Sequence, residues 1–452
     1  METRTEIVGS VPNGTGGDTA HLGEVAMPSK RHGTTWHYPP ELDGDLEGVD
    51  LPRDVIDETI SCAWEYTRCI IPTYTNWSRY LYFVRIVMVG IGMCRQRWRR
   101  KGQGLAHKDT VAEFRGDLVD VSVTDDVLGY NVQSLIDGCF AGTPGHASMG
   151  REYRSYLLFT GDKASPVRRG EDLFRRYVDS LARSPADWFR LRDCDGLIRF
   201  TAAAALSCND FDDVWFRDDE WAVLVEISAV LYDAVAFYKH RAEAETNSTF
   251  AYFPPDLRVD YFRRCRELLW SLDAAWARSR PHLCVVSFLR YFGGPIKMAM
   301  RRYRFVEEEL TIGRPETDQV VEQTRNNVKL WNRVDAGNAN AVAAARYEGV
   351  MEREERLLFH GQAELLRGDS GSSCGECLRK TSYGAQEVGR FGGVRLCETC
   401  QQRWREYADG AVARAVAAFP VLLGRHGGGG WRRRSHVDED DLGRATKRRK
   451  QG

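Results

Sequence analysis

Charge imbalance is what this 452-residue chain most lacks: 63 Lys and Arg stand against 64 Asp and Glu, a formal net charge of −1. So even a balance leaves no global electrostatic footprint for nucleic acid, and no obligate nucleic-acid partner is expected. Long apolar runs are missing as well. The longest, Tyr80 to Met93, is too short to span a bilayer and carries Arg85. The opening METRTEIVGSVPNGTGGDTA holds no apolar h-region, so no secretory leader is predicted. A soluble cytoplasmic protein is therefore expected, in which the sequons at Asn13, Asn76 and Asn247 are chance matches. Alternation at period two is also absent and β-branched runs are short, which excludes a core built on sheets.

What is present is a globular composition, 43% hydrophobic and 11% aromatic. Residues 1–35 are rich in Gly, Thr and Ser without periodicity and are expected to be a disordered tail. From LPRDVIDETISCAWEYTRCI onward apolar residues recur at three- and four-residue steps, with Pro52 suited to a first helical turn. The same period predicts helices over Leu173–Leu181, Leu197–Leu206, Trp221–His240, Tyr261–Ala277, Leu283–Leu310 and Thr317–Val334. The body, residues 36–335, thus reads as all-α. One basic, Gly-containing segment, Cys94–Thr110, interrupts an apolar run; it is a surface loop or a translated intron. Residues 336–368 read as a helical linker, 369–422 as a small cysteine-bearing module and 423–452 as a disordered charged tail.

Eight of the twelve cysteines are scattered through residues 62–284, as reduced buried thiols would be. The other four are Cys374, Cys377, Cys397 and Cys400, two C-x2-C pairs at matched spacing. Two thiolates three residues apart can share one tetrahedral ion, and four close the site, so structural Zn2+ is predicted. A segment of that size could hardly build its own core without such a staple.

Three clusters in the body suggest chemistry. Asp117, Asp120, Asp125 and Asp126 crowd one stretch, with Asp117 and Asp120 on one face if it is helical. On the YDAVAFYKHRAEAETN stretch, Asp233, His240, Glu243 and Asn247 form one polar stripe beside Lys239. Carboxylates in such sets can hold Mg2+, although a solvated face has the same look. Arg301, Arg302 and Arg304 surround Tyr303, a set of planar forks and a hydroxyl suited to phosphate. Asp210, Asp212 and Asp213 in CNDFDDVW form a rival acidic cluster that reads as a cap or loop.

An acidic cluster, then D-x-x-x-F-Y-K, then R-R-Y-R resembles class I terpene cyclases, trichodiene-synthase-like enzymes in particular, over roughly residues 116–334. Over LPRDVIDETISCAWEYTRCI, RDCDGLIRF, CNDFDDVWF and DAVAFYKHRAEAETNSTFAY the chain is similar to fungal abscisic-acid-pathway sesquiterpene synthases, which make α-ionylideneethane from farnesyl diphosphate. The resemblance implies a class I terpene-synthase-like helical bundle, catalytic Mg2+, an isoprenoid diphosphate substrate and oxidising enzymes downstream. It implies catalytic roles for Asp233, Lys239, Arg302 and Tyr303, and diphosphate binding by those basic groups together with Arg304, Arg190 and Arg192. Asp117, Asp120, Asp125, Asp126, Asp233, His240, Glu243 and Asn247 become the Mg2+ candidates. The usual second-motif ligands, Asn, Ser and Glu, fall here on Tyr232, Ala236 and His240. Which of Asp233, His240, Glu243, Glu245 and Asn247 replaces them stays open. Phe189, Trp215, Phe237, Phe288 and Phe292 are the expected apolar wall. The competing readings are a zinc-module nuclear regulator, with KRRK and WRRR as basic patches, and a non-catalytic helical scaffold.

Overall fold

The computed structural model describes residues 36–49, 51–95, 121–164, 172–237, 240, 247–300, 341–368, 374–379 and 394–423. The chain divides into two compact units, 1–37 and 38–452, and everything below concerns the second. Helices α1 (Arg53–Ile70), α2 (Trp77–Arg95), α3 (Val132–Phe140) and α4 (His146–Ala164) form a first packed set, with α2 against α1, α3 and α4. Then come α5 (Asp172–Asp179), α6 (Pro185–Gly196), α7 (Ile198–Ser207) and α8 (Asp218–Val235), followed by α9 (Pro255–Ala275), α10 (Arg280–Phe292) and α11 (Pro295–Ala299). The helical expectation holds among the described residues of the body, which are mostly helix with one short hairpin. Among the described residues no helix is long and apolar enough to cross a membrane.

Helix α8 is the hub, packing on α6, α7, α9 and α10. It is buried nearly all round, from Trp221 through Val223–Leu231 to Asp233, as a helix at the centre of a bundle must be. Its start is held by Glu220, whose side chain accepts from the Arg217 N–H at 2.7 Å. Asp218, Asp219 and Glu220 in its first turn suit the positive end of the helix dipole. Helix α6 begins at Ser184, which caps Asp187, and has Pro185 in its first turn. It ends at Leu197, whose φ of 49° reverses the chain into α7.

Three details differ from the periodic reading. The stretch opening at Tyr232 is the end of a helix: α8 stops at Val235, and a new turn starts with His240 N–H donating to Ala236 O at 2.8 Å. The predicted helix Leu283–Leu310 stops at Phe292, because Gly293, Gly294 and Pro295 follow. A Cβ on Gly293 would lie 2.9 Å from the Leu231 Cβ, so glycine lets α10 approach α8 closely. Finally, Asp125 and Asp126 lie at a hairpin, not on a helix. Strands β1 (Asp126–Val127) and β2 (Tyr130–Asn131) pair across Leu128 and Gly129, both at positive φ.

The segment expected as a linker folds from residue 341 as α12 (Ala341–Met351), α13 (Glu354–Leu357) and α14 (Gln362–Arg367). These lie on α4 and α5, where buried Ser155 on α4 hydrogen-bonds Gln362 at 2.6 Å and Leu357 O at 3.1 Å. After them come the ladder β3 (Leu378–Arg379) with β4 (Val394–Arg395), then α15 (Glu398–Asp409) and α16 (Ala411–Ala418). This last segment shares its core with the body. Trp404 on α15 is 1% exposed, packs on Phe189 and Phe253, and donates its indole N–H to Leu181 O at 3.0 Å. Arg414 on α16 pairs with Glu226 of α8 at 2.7 Å, and that carboxylate also accepts from Tyr261 at 2.6 Å.

Candidate functional site

The end of α8 carries Asp233, which is wholly buried. Its Oδ1 lies 2.6 Å from Arg192 Nη2, and its Oδ2 accepts from Arg192 Nε at 3.3 Å and from the Thr249 backbone N–H at 2.8 Å. Arg192 comes from α6 and also reaches Asp195, one turn on, at 2.7 Å. Asp195 in turn accepts from Asn247 Nδ2 at 2.6 Å and from the Tyr177 hydroxyl at 3.3 Å. His240 is 2% exposed, with Nδ1 at 3.9 Å from Asp233 Oδ1. Of the residues expected to act together, the structure thus brings Arg192, Asp233, His240 and Asn247 to one buried place.

Two carboxylates face one guanidinium in a region closed to water. Burial works against the Arg192 charge, but the Asp233 and Asp195 carboxylates outweigh it and hold the guanidinium firmly protonated. Burial, with Asp195 beside it, keeps Tyr177 in its neutral phenol form. Asn247 Oδ1 is buried and has no hydrogen-bond partner.

The other expected residues are distributed as follows. Asp125 is held bidentately by Arg154 at 3.0 and 2.9 Å and also by Arg356 at 3.0 Å. Asp126 accepts from Asn131 at the hairpin. Neither has a contact with the Asp233 cluster among the described residues. Asp210 and Asp212 tie the α7–α8 connection to the start of α2, through Thr75, Asn76 and a two-pronged pair with Arg79 at 2.6 and 2.9 Å, as a loop clamp would. Asp117, Asp120, Lys239, Glu243, Glu245 and Arg301 to Arg304 lie outside the described residues, as do 94–110 beyond Arg95.

Arg190 sits two residues from Arg192, about 200° round the helix, and faces other partners. It pairs with Glu152 of α4, with Asp193 at 3.2 Å, and lies 3.5 Å over the Phe359 ring. Asp193 is shared with Arg199 at 3.0 Å. On this side Arg190, Phe189 and Trp215 line a cleft of about 380 Å³. Phe288 and Phe292 are buried in the α10 packing, where Phe292 stacks on Tyr232 at 4.5 Å. Phe237 lies under Arg258 at 4.1 Å. Sequence reasoning missed Asp195, Thr249, Glu152 and Glu226. The i, i+3 spacing of Arg192 and Asp195 in RLRDCD was a signal for the first of these.

The four cysteines do converge. Their sulfurs all lie within 4.8 Å of one another, the only cluster of three or more metal-ligating side chains among the described residues. Cys374 Sγ and Cys397 Sγ are 3.6 Å apart, close to the edge of about 3.8 Å that follows from tetrahedral Zn–S bonds of about 2.3 Å. The Cys397 N–H points at Cys377 Sγ at 3.4 Å and the Cys400 N–H at Cys397 Sγ at 3.5 Å. Such donors favour thiolates, whereas burial pushes the Cys377 and Cys400 thiols up. The Glu376 backbone N–H and the Cys397 thiol lower the Cys374 thiol to about 7. The geometry fits a closed four-thiolate site for a metal such as zinc, which leaves no open position for substrate.

Comparison with known proteins places most of this chain in one family. The family described as alpha-ionylideneethane synthase aba3 matches residues 34–97 and 105–421. The unmatched 98–104 falls within the basic segment that interrupts the sequence pattern. An alpha-ionylideneethane synthase aba3 of Botryotinia fuckeliana (strain B05.10) is 53% identical over 393 residues, covering 87% of this chain and 85% of the relative. An alpha-ionylideneethane synthase abl3 of Leptosphaeria maculans is 50% identical over 388 residues, 86% of each chain. Another abl3, of Pyricularia oryzae, is 43% identical over 455 residues, covering 87% of this chain and 84% of the relative.

Proposed function

The chain belongs to the alpha-ionylideneethane synthase family, and from that premise we propose that it converts farnesyl diphosphate to alpha-ionylideneethane, a sesquiterpene hydrocarbon, in an abscisic-acid-type pathway. The observation that carries the reading is the family match over residues 34–97 and 105–421, the C-terminal cysteine segment included, with identity of about half over 86–87% of the chain. The product carries no oxygen, so enzymes that oxidise hydrocarbons would have to follow.

The difficulty of the reaction is charge separation, since a multiply charged leaving group must part from an apolar carbocation. Mg2+, when bound, would supply Lewis-acid stabilisation of that departing charge. Asn247 Oδ1, buried without a hydrogen-bond partner, and Asp233 are the candidates to hold this ion among the described residues, although both Asp233 oxygens are engaged by Arg192 and Thr249; Glu243, Asp117 and Asp120 are further candidates from outside them. Arg192 positions Asp233 by gripping both of its oxygens, and the Thr249 N–H fixes the same carboxylate from the following turn. Lys239, Arg302, Tyr303 and Arg304 would clamp the diphosphate. One unit-charge pair at 4 Å is worth about 4 kcal/mol at an effective dielectric near 20, against about 2 kcal/mol for a desolvated cation–aromatic contact. Ionisation would therefore be governed by the cationic groups, and the apolar surroundings of the carbocation would govern which product forms. Zinc at the four cysteines would be structural.

The test is incubation of the purified full chain with farnesyl diphosphate, with and without added Mg2+, followed by mass spectrometry of extracted hydrocarbons. A sesquiterpene hydrocarbon that requires Mg2+ is expected, lost in Arg302→Ala and Lys239→Ala with helical content unchanged. Absence of hydrocarbon from the folded protein with Mg2+ present refutes the proposal.

A further inference from the structure

We propose that the four-thiol site is a redox-sensitive latch on the start of α6: a hydroperoxide joins Cys374 to Cys397, the metal leaves, and the seat from which that helix begins is loosened.

Exposure and distance select the pair. Cys374 and Cys397 are partly exposed, whereas Cys377 and Cys400 are buried, at 5% and 1%. Either bond within a knuckle would join an accessible sulfur to a buried one. The bond across the knuckles joins the two accessible sulfurs, which already lie 3.6 Å apart. A disulfide needs about 2.05 Å, so they must approach by about 1.5 Å. Cys374 can supply that movement. It stands in a turn ahead of β3, and a Cβ on the neighbouring Gly375 would meet nothing within 4 Å. Cys397 is the fixed partner, held as the N-cap of α15 with its sulfur accepting from the Cys400 N–H at 3.5 Å.

The chemistry balances with the peroxide as oxidant. The Cys374 thiolate attacks the O–O bond and becomes a sulfenic acid, releasing hydroxide. The Cys397 thiolate then attacks that sulfur, the S–S bond forms, and the second hydroxide leaves. The electron pair lost by the two sulfurs ends on the peroxide oxygens. Cys377 and Cys400 remain, and two thiolates do not close a tetrahedral site.

What the site holds is visible in its seat. The carbonyls of Leu181, Ala182 and Arg183 are consecutive and stand just ahead of Ser184, the cap of α6. Trp404 Nε1 donates to the first at 3.0 Å, Cys400 Sγ lies 3.8 Å from the second, and Arg403 Nη1 donates to the third at 3.0 Å. All three side chains belong to the first two turns of α15. A disulfide sulfur is a weaker acceptor than a thiolate, so oxidation weakens the α15 cap at the same time as the metal is lost. The start of α6, and with it the helix that carries Arg192, then loses a rigid support.

The test uses the full chain loaded with Zn2+, freed of excess ion and treated with hydrogen peroxide. A chromogenic zinc dye reads release, mass spectrometry of unreduced digests maps the bond, and hydrogen exchange reads the helices. Release of about one ion per chain is expected, with a Cys374–Cys397 cross-link. Amide exchange over 180–196 and 398–409 should quicken about fivefold or more, the effect of losing a helix cap. Exchange in α2 should stay unchanged, and a dithiol with Zn2+ should restore the starting state. None of these readouts needs turnover. A chain that takes up no Zn2+, a bond within one knuckle, Zn2+ retained by the cross-linked chain, or unchanged exchange over 180–196 overturns the proposal.

Discussion

Asp233→Asn is the substitution that most directly tests the buried cluster. The side chain is 0% exposed, and its carboxylate takes two contacts from Arg192, at 2.6 and 3.3 Å, and one from the Thr249 N–H, at 2.8 Å. Asparagine keeps the volume, so no cavity term arises. It removes the charge and turns an NH2 toward donors on one side. Breaking a buried pair by neutralising one partner costs about 3–5 kcal/mol. Asp195 still compensates Arg192 at 2.7 Å, which puts the expected loss at the lower end, about 3 kcal/mol. Urea unfolding followed by far-UV circular dichroism measures it through the shift in midpoint at constant slope. A cycle with Arg192→Met isolates the pair, and a coupling of about 1–3 kcal/mol is expected for groups in direct contact. A loss below about 1 kcal/mol, or a coupling indistinguishable from zero, would mean that the two side chains do not form a desolvated pair. In that case the account of how Asp233 is positioned fails with it.

Trp404→Ala should cost about 3–5 kcal/mol and shift the unfolding of the whole helical body, because that ring fills space between Phe189 and Phe253; an unshifted main transition would make the cysteine segment an appendage. Asp125 supplies a pH test. Burial alone would raise this carboxyl, but the hydrogen bonds and charges of Arg154 and Arg356 outweigh it and hold it below the ordinary value. The stability it contributes is therefore present above about pH 4 and is lost as the pH falls through the lower native value. The gap between wild type and Asp125→Asn should be constant near neutrality and close in acid, and a gap that widens on acidification would reverse the assigned sign. Gly293→Ala drives a methyl toward Leu231 and should destabilise by about 1–3 kcal/mol; thermal unfolding at least as stable as wild type would show that α10 and α8 are not in close contact there.

The helical class was legible because a 3.6-residue period is a local property, repeated in every amphipathic segment. The cysteine cluster was legible for the same reason, since each C-x2-C pair carries its own geometry. What periodicity does not encode is interruption and distant pairing. Gly293, Gly294 and Pro295 end a helix inside an apolar run that reads as continuous. Leu128 and Gly129 turn an acidic stretch into a hairpin. Arg190 and Arg192 look equivalent in sequence, yet their places on opposite sides of α6 give one to Glu152 and the other to Asp233, 41 residues away. The cleft wall was half visible, in that Phe189 and Trp215 were expected and Phe359, from beyond the body, was not.

Helix α8 shows why the cysteine segment bears on the site without touching it. Glu226 and Asp233 are seven residues apart, which returns a helix to within about 20° of the same direction. Both are buried carboxylates on one stripe, and each is gripped by an arginine from a different part of the chain, Arg414 from α16 and Arg192 from α6. Burial raises the Glu226 carboxyl and opposes its ionisation, and Arg414 and Tyr261 act against that. A helix pinned at two points two turns apart can neither rotate nor slide without breaking a desolvated pair, at about 3–5 kcal/mol each. The place of Asp233 is thus set jointly by α6 and by a C-terminal helix pair whose start is the Cys397–Cys400 knuckle. A metal at the four thiols would help to hold that helix pair, and through Arg414 and Glu226 the position of α8.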